Sequence, residues 1–308
     1  MNKNYLQMKT NVGLMVQDSS ASMASLIGVW INNRYREVVN SHTWEQLYVT
    51  QTITTSANVS AYPFDANTDK IVFVNDITNS NTLNITTEEQ FLQQNFDALT
   101  TTGTPTKCFI KSDVVASQPG SAEKITLKSS SAQDTAEIIF IREITATGGE
   151  TYENLTLTGT TAVTASNSVT RILGISKSAS TVGKITVYEN DESTELAQLY
   201  PENLESRYKT LNVHPIPTGA STLHSRTKRR ISPLAQNYDY PVIEEVSDII
   251  ELGAQADAWR YKKQFNKGSV FETQYQIAKD DRVFREVNQP GLIHQMVATP
   301  LNRNEGIL

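Results

Sequence analysis

The sequence predicts an α+β chain with helical elements near both ends and a β-rich middle. Three observations carry that expectation. Apolar residues recur at helical spacing from Met23 to Val38, marking one buried helix face. From Leu47 the pattern changes to short runs of β-branched residues broken by Gly, Pro, Asn and Ser, the composition of strands and turns. From Ile243 helical spacing returns and continues to Val287.

The first clear helix opens at Asp18-Ser19-Ser20, whose short polar side chains can accept from the free N–H groups of a helix start. Met23, Ile27, Trp30, Ile31, Tyr35 and Val38 form its apolar stripe, with Asn32, Asn33, Arg36 and Glu37 largely between them, and it ends between Asn40 and Thr43. Strands follow from Leu47 through Val49 and Ile53. Further strands are expected over Lys70 to Asn75, Lys107 to Ile110, Lys124 to Leu127, Ala136 to Ile144, Leu155 to Thr158, Val169 to Ile175 and Lys184 to Tyr188. Turn punctuation such as Ser117-Gln118-Pro119-Gly120 and Gly148-Gly149 separates them, and many short strands at this spacing point to a sandwich or barrel.

A short helical pattern, Phe91, Leu92, Phe96 and Leu99, interrupts the strands after a Thr86-Thr87 cap and is expected to cover one end of a sheet. Beyond Pro201 the prolines at 215, 217, 233 and 241 each fix φ and remove a donor, so long regular structure is not expected there. Helical spacing resumes through Val246, Ile249, Ile250, Gly253, Ala254, Ala256 and Trp259, where small residues admit a close neighbour. A second helix is expected from Ser269 to Val287 with Phe271, Tyr275, Ala278, Val283 and Val287, and an extended tail after Pro290.

At 308 residues the chain is long enough for two or three cores. A 38% hydrophobic content with a mean hydropathy of −0.37 fits a folded, soluble chain. The net charge of −6 disfavours bulk DNA binding, so any nucleic-acid contact must be local. The lone Cys108 lies in the apolar segment Cys108-Phe109-Ile110, where a buried thiol is expected and an intramolecular disulfide is impossible. No apolar run approaches the ~20 residues of a membrane span. The amino terminus lacks the apolar stretch of a secretory signal, so synthesis and use in the cytoplasm are expected.

No catalytic apparatus stands out. His42, His214, His224 and His294 are scattered without metal-ligand spacing, and there is no nucleophile elbow, phosphate loop or dinucleotide fingerprint. The acidic pairs Glu88-Glu89, Asp191-Glu192 and Asp280-Asp281 diverge in direction as neighbours must and read as solvated faces or helix starts. No enzyme activity, metal or cofactor is expected. The sharpest charge feature is Arg226-Thr227-Lys228-Arg229-Arg230, read either as a solvated loop or hairpin edge or as a contact for DNA phosphates or an acidic partner.

The segment from Leu26 through Trp30-Ile31-Asn32-Asn33-Arg34-Tyr35 to Val39, followed by Trp44, resembles the opening helix of tailed-bacteriophage head-to-tail adaptor proteins. The likeness continues in order through Tyr62-Pro63-Phe64-Asp65, Lys70 to Val74, Gly103-Thr104-Pro105 leading to Cys108-Phe109-Ile110, Tyr208 to Pro217, and Ile243 to Trp259. These segments leave Asp113 to Tyr200 as an insertion. Its runs, Ser129 to Thr135, Glu153 to Thr160 and Ile175 to Val187, resemble immunoglobulin-like β-sandwich modules of phage virions.

The resemblance implies an N-terminal helical element over 1–44, a β-rich adaptor core over 45–112 and 201–242, an immunoglobulin-like insertion over 113–200, and C-terminal helices with a tail over 243–308. It implies a structural virion protein of the neck, assembled in the host cytoplasm. About twelve copies would form a ring on the portal, above a tail or nozzle protein and around packaged DNA, with no membrane partner. On that reading the tail Ala298-Thr299-Pro300-Leu301-Asn302-Arg303-Asn304-Glu305-Gly306-Ile307-Leu308 docks on the portal, and Arg226, Lys228, Arg229 and Arg230 line the channel or meet a neighbouring subunit. The alternative is a β-sandwich receptor- or carbohydrate-binding virion module. Its candidates are Tyr152, Tyr188 and Tyr200, although a sheet core accounts for all three as well.

Overall fold

A helix precedes the first one that periodicity predicts. The Gln7 backbone N–H donates to the Asn4 side chain at 2.8 Å, and the Asn4 N–H donates to the Gln7 side chain at 2.9 Å. This reciprocal cap opens α1 (Tyr5–Met15), whose buried stripe of Tyr5, Met8 and Val12 is narrow. In the computed structural model, residues 2–95, 99–190, 192 and 194–287 are described. The chain divides into two units, Met1–Trp44 with Gln236–Leu308, and Glu45–Ala235.

In the first unit, α2 (Ala21–Ser41) is capped by Ser20, whose hydroxyl accepts from the Met23 N–H at 3.3 Å, and it buries Met23, Ile27, Ile31, Tyr35 and Val38. Trp44 is fully buried and its indole N–H donates to the Val38 carbonyl at 2.9 Å. Two helices return from the other end of the chain, α4 (Ser247–Tyr261) and α5 (Phe265–Val287). Each start differs from its sequence expectation by one helical turn. Helix α4 is buried nearly all round, and α1, α2 and α5 pack on it. That position explains its small residues. A Cβ at Gly253 would lie 2.8 Å from Cγ and Cδ of Arg34, so only glycine admits the arginine stem.

The second unit opens with a single 3-10 turn, Glu45–Leu47. A four-stranded sheet has the order β1 (Tyr48–Thr54), β14 (Thr222–Arg229), β3 (Thr68–Asp76), β4 (Asn81–Thr82). Another runs β2 (Ala61–Pro63), β13 (Tyr208–His214), β6 (Lys107–Asp113), β5 (Asn84–Thr86). Ile71, Val74 and Leu223 of the first sheet and Tyr62, Cys108, Leu211 and Val213 of the second share one core. Cys108 is buried as expected, and burial pushes its thiol up to about 12. Helix α3 (Glu88–Asn95) lies against β6, with the Phe91 ring 4.7 Å from that of Phe109. Phe96 lies outside the described residues.

Beyond Pro201 the chain is more regular than its prolines alone suggest. Strands β13 and β14 occupy much of it, because Pro215 and Pro217 fall in the connection between them and Pro233 lies beyond them. Proline here marks strand ends and interrupts no ladder.

The insertion is β7 (Glu123–Ser129), β8 (Ile138–Thr145), β9 (Glu150–Thr156), β10 (Val163–Lys177), β11 (Ile185–Glu189) and β12 (Thr194–Leu199), in the order β12-β11-β7-β10-β8-β9. Leu155 on one edge and Leu196 and Leu199 on the other belong to the same core, so the sheet curls round it. The long strand β10 makes this possible. Its first half pairs with β7 and its second with β8, and register shifts interrupt both ladders. Such bulges bend a strand and increase its twist. The insertion is thus one continuous six-stranded sheet in place of the two separate layers expected of an immunoglobulin-like sandwich. The first halves of β9 and β10 escape the sequence reading because Glu, Asn, Ser and Thr dominate them, and β12 escapes it because its six residues carry no β-branched run.

Candidate functional site

The basic segment is not a loop. Arg226, Lys228 and Arg229 lie on β14, which is hydrogen-bonded to β1 on one side and β3 on the other. Alternation buries Leu223, Ser225 and Thr227 and turns His224, Arg226 and Lys228 the other way. Arg226 pairs with Glu45 and lies over the Tyr48 ring, 5.4 Å from its centre. Lys228 sits opposite Tyr48 and Lys70. A register shift precedes Arg229, after which the last two cations part. Arg229 lines a cleft of about 480 Å³ with Gln51, Asp65 and Tyr200. Arg230 lines another of about 440 Å³ with Asp69, Arg207 and Lys209. The four cations therefore serve three places in one unit, because a strand sends neighbours to opposite faces and a bulge resets the phase.

The tail Ala298 to Leu308 lies outside the described residues, as do His294 and Asp191. Among the described residues no group of three or more His, Cys, Asp or Glu could hold a metal ion. None of the described helices is long and apolar enough to cross a membrane. The three tyrosines of the insertion separate. Tyr200 donates to Asp65 at 2.9 Å, and Tyr188 lies under the Lys128 ammonium at 5.3 Å. Tyr152 is 69% exposed, so a core role cannot account for it.

The helical unit is fastened by a charge cluster that the sequence hides. Arg34 on α2 donates to Asp257 from Nε at 2.8 Å and Nη2 at 2.7 Å, to Glu272 from Nη2 at 2.8 Å and Nη1 at 3.2 Å, and to Glu37 at 3.0 Å. All five guanidinium donors are engaged. Burial works against the charge, but Asp257 and Glu272 outweigh it and raise the Arg34 pKa. Because Asp257 and Glu272 are far away in sequence, spacing gives no sign of this site.

The same unit presents two apolar surfaces. On α5, Val270 and Ile277 stand seven residues apart and are 56% and 64% exposed, on a different side from buried Gly268, Tyr275 and Arg282. Between α1 and the start of α2, a groove of about 230 Å³ is lined by Leu6, Thr10, Leu14 and Ile27 with Lys9 and Asp18 at its rim.

One buried carboxylate in the insertion is poorly satisfied. Glu143 has no exposure; its Oε1 accepts from Asn167 at 3.0 Å, while Oε2 has no hydrogen-bond partner. Burial raises its pKa, Asn167 opposes the shift, and the Glu153 charge adds to it. A carboxyl with a raised folded pKa gives its full stability below the unfolded value, ordinarily 4.5, and loses it as pH rises through the folded value. Glu143→Gln, which removes the buried charge, is therefore expected to raise stability at neutral pH. The gain should shrink toward pH 4.5, as measured by urea unfolding at both pH values.

No family model matches the chain, and no curated protein matches it. Two solved structures found similar are a mutant VP2 protein of infectious bursal disease virus in derived T=1 particles and a VP2 subviral particle of the same virus. The first is 10% identical with a TM-score of 0.11, covering 77% of this chain and 54% of that one. The second is also 10% identical with a TM-score of 0.11, covering 78% and 55%. The chain thus spans about half the length of those proteins, and a likeness of that size carries no argument about fold or function.

Proposed function

We propose that the chain is a structural virion protein, a head-to-tail adaptor that forms a ring on a phage portal and joins capsid to tail around the DNA. The observation that carries this reading is the pair of unlike apolar surfaces on the helical unit, the α5 stripe and the α1–α2 groove. Two unlike surfaces suit a head-to-tail contact between copies, and repetition of such a contact closes a ring where the rotation between copies divides a full turn. The order of motifs from Leu26 to Trp259 supplies the family to which the ring would belong. Portal docking and a neighbour below the ring follow from that resemblance, and Arg226 and Lys228 are the cations offered to DNA or to an adjacent subunit.

The test is the mass and symmetry of the protein with and without purified portal, by native mass spectrometry and electron microscopy. A closed ring on the portal is expected. Ile277→Asp places a charge in the stripe without touching the buried face of α5, and it should abolish the ring while leaving the helical circular dichroism unchanged. A monomer that ignores the portal at high concentration would end the proposal.

A further inference from the structure

We propose that the outer face of the inserted sheet is a binding site for a neutral saccharide, with Tyr152 and Phe140 as its stacking surfaces. Strands β8 and β9 turn Ile139, Ile141 and Leu155 into the core, so the opposite face carries Phe140, Arg142, Tyr152 and Asn154. In register, Arg142 faces Tyr152 and Phe140 faces Asn154. The two rings are diagonal neighbours, within the reach of aromatic side chains on one sheet face. Tyr152 is 69% exposed and Phe140 38%. Solvent-facing strand positions ordinarily carry polar residues, and this pair contributes little to the core.

The next strand leaves room beside the rings. On β10, Gly174 lies opposite Arg142 and Ser176 opposite Phe140. A Cβ at Gly174 would meet only Cβ of Arg142, at an ordinary 3.6 Å, and the backbone there is not left-handed. Neither packing nor conformation requires glycine, and its bare backbone lines a cleft. It holds about 390 Å³, and Glu205 to Arg207 form its far wall, where Glu205 pairs with Ser176 in a β-bridge. That volume is within the range of small-ligand sites.

Charge decides the class of occupant. Arg142 is paired with Glu150, and Arg207 with Glu205 at 2.7 Å. The walls are therefore neutral overall and offer no field for a polyanion. The pairs still present both donors and acceptors beyond their mutual contacts, which suits hydroxyl groups, while the two rings suit the apolar C–H face of a pyranose. An open cleft with two rings and no buried anchor binds weakly, with a Kd on the order of 1 mM. Repetition of the module in an assembly would multiply that by avidity, although the site itself does not depend on the ring.

Saturation-transfer NMR on the full chain with cellotriose, maltotriose and chitotriose, each at about 10 mM, tests the proposal. Transfer to at least one of them is expected. Tyr152→Ala and Gly174→Leu, which remove the platform and fill the cleft, should each weaken binding at least about tenfold with unchanged unfolding midpoints. Absence of transfer from all three, binding that both variants leave intact, or displacement of the sugar by single-stranded oligothymidylate would each overturn it.

Discussion

Arg34→Ala is expected to destabilise the helical unit by about 3–5 kcal/mol, the usual result of removing one partner from a buried ion cluster. The magnitude follows from what is left behind. Asp257 and Glu272 each receive two guanidinium hydrogen bonds and Glu37 receives one. The arginine stem also fills the space against Gly253, and its head lies 4.9 Å from the centre of the Tyr275 ring. Lysine carries the charge but only three donors on a single atom, so Arg34→Lys should recover less than half of the loss.

The measurement is guanidinium unfolding of the full chain followed by helical circular dichroism, since α1, α2, α4 and α5 belong to this unit. A loss under about 1 kcal/mol would show an ordinary surface pair. The same cluster sets an acid limit. Burial acts to raise the pKa of Glu272 and Glu37, but their hydrogen bonds and the neighbouring cations hold both below the ordinary 4.5. They stabilise the fold above that value, and the contribution disappears as pH falls through their folded values.

Asp134→Ala is expected to cost the insertion about 2–4 kcal/mol, because a buried acceptor of several hydrogen bonds is lost and its donors are stranded. Asp134 has no exposure. It accepts from the Ser129 hydroxyl, from the Val182 N–H at 2.7 Å and from the Gly183 N–H at 2.9 Å. These bonds tie the β7–β8 turn to the turn that precedes β11. Asparagine keeps one oxygen and presents an amide N–H where an acceptor is needed, so Asp134→Asn should restore little. Hydrogen exchange at Val182 and Gly183 reads the effect locally, and unchanged protection in Asp134→Ala would refute it.

The pH dependence has a definite sign. Burial would raise the Asp134 pKa, but Ser129, the two N–H groups and the Lys177 charge outweigh it and lower it from 3.8. Stability from this group is present above that value and lost as pH falls through the folded one. The gap between wild type and Asp134→Asn should therefore narrow in strong acid.

Local chemistry in the sequence determined a good part of this molecule. Ser20 and the stripe from Met23 to Val38 specify α2, because a cap and a helical repeat are properties of neighbouring residues. β-Branched runs specify most strands, and Cys108 among Phe109 and Ile110 specifies a buried thiol. Tertiary structure alone decided the rest. Whether Arg226 to Arg230 form a loop or a central strand depends on pairing with Val49 and Phe73, far away in sequence. Which face Tyr152 takes depends on the register of β9 against β8, and a one-residue slip would bury it. Arg34 resembles any polar residue on a helix until Asp257, Glu272 and Gly253 arrive from the other end of the chain. The physical reason is common to all three: hydrogen-bond partners, register and desolvation are set by contacts between distant segments, whereas caps and periodicity are fixed within one turn or one strand.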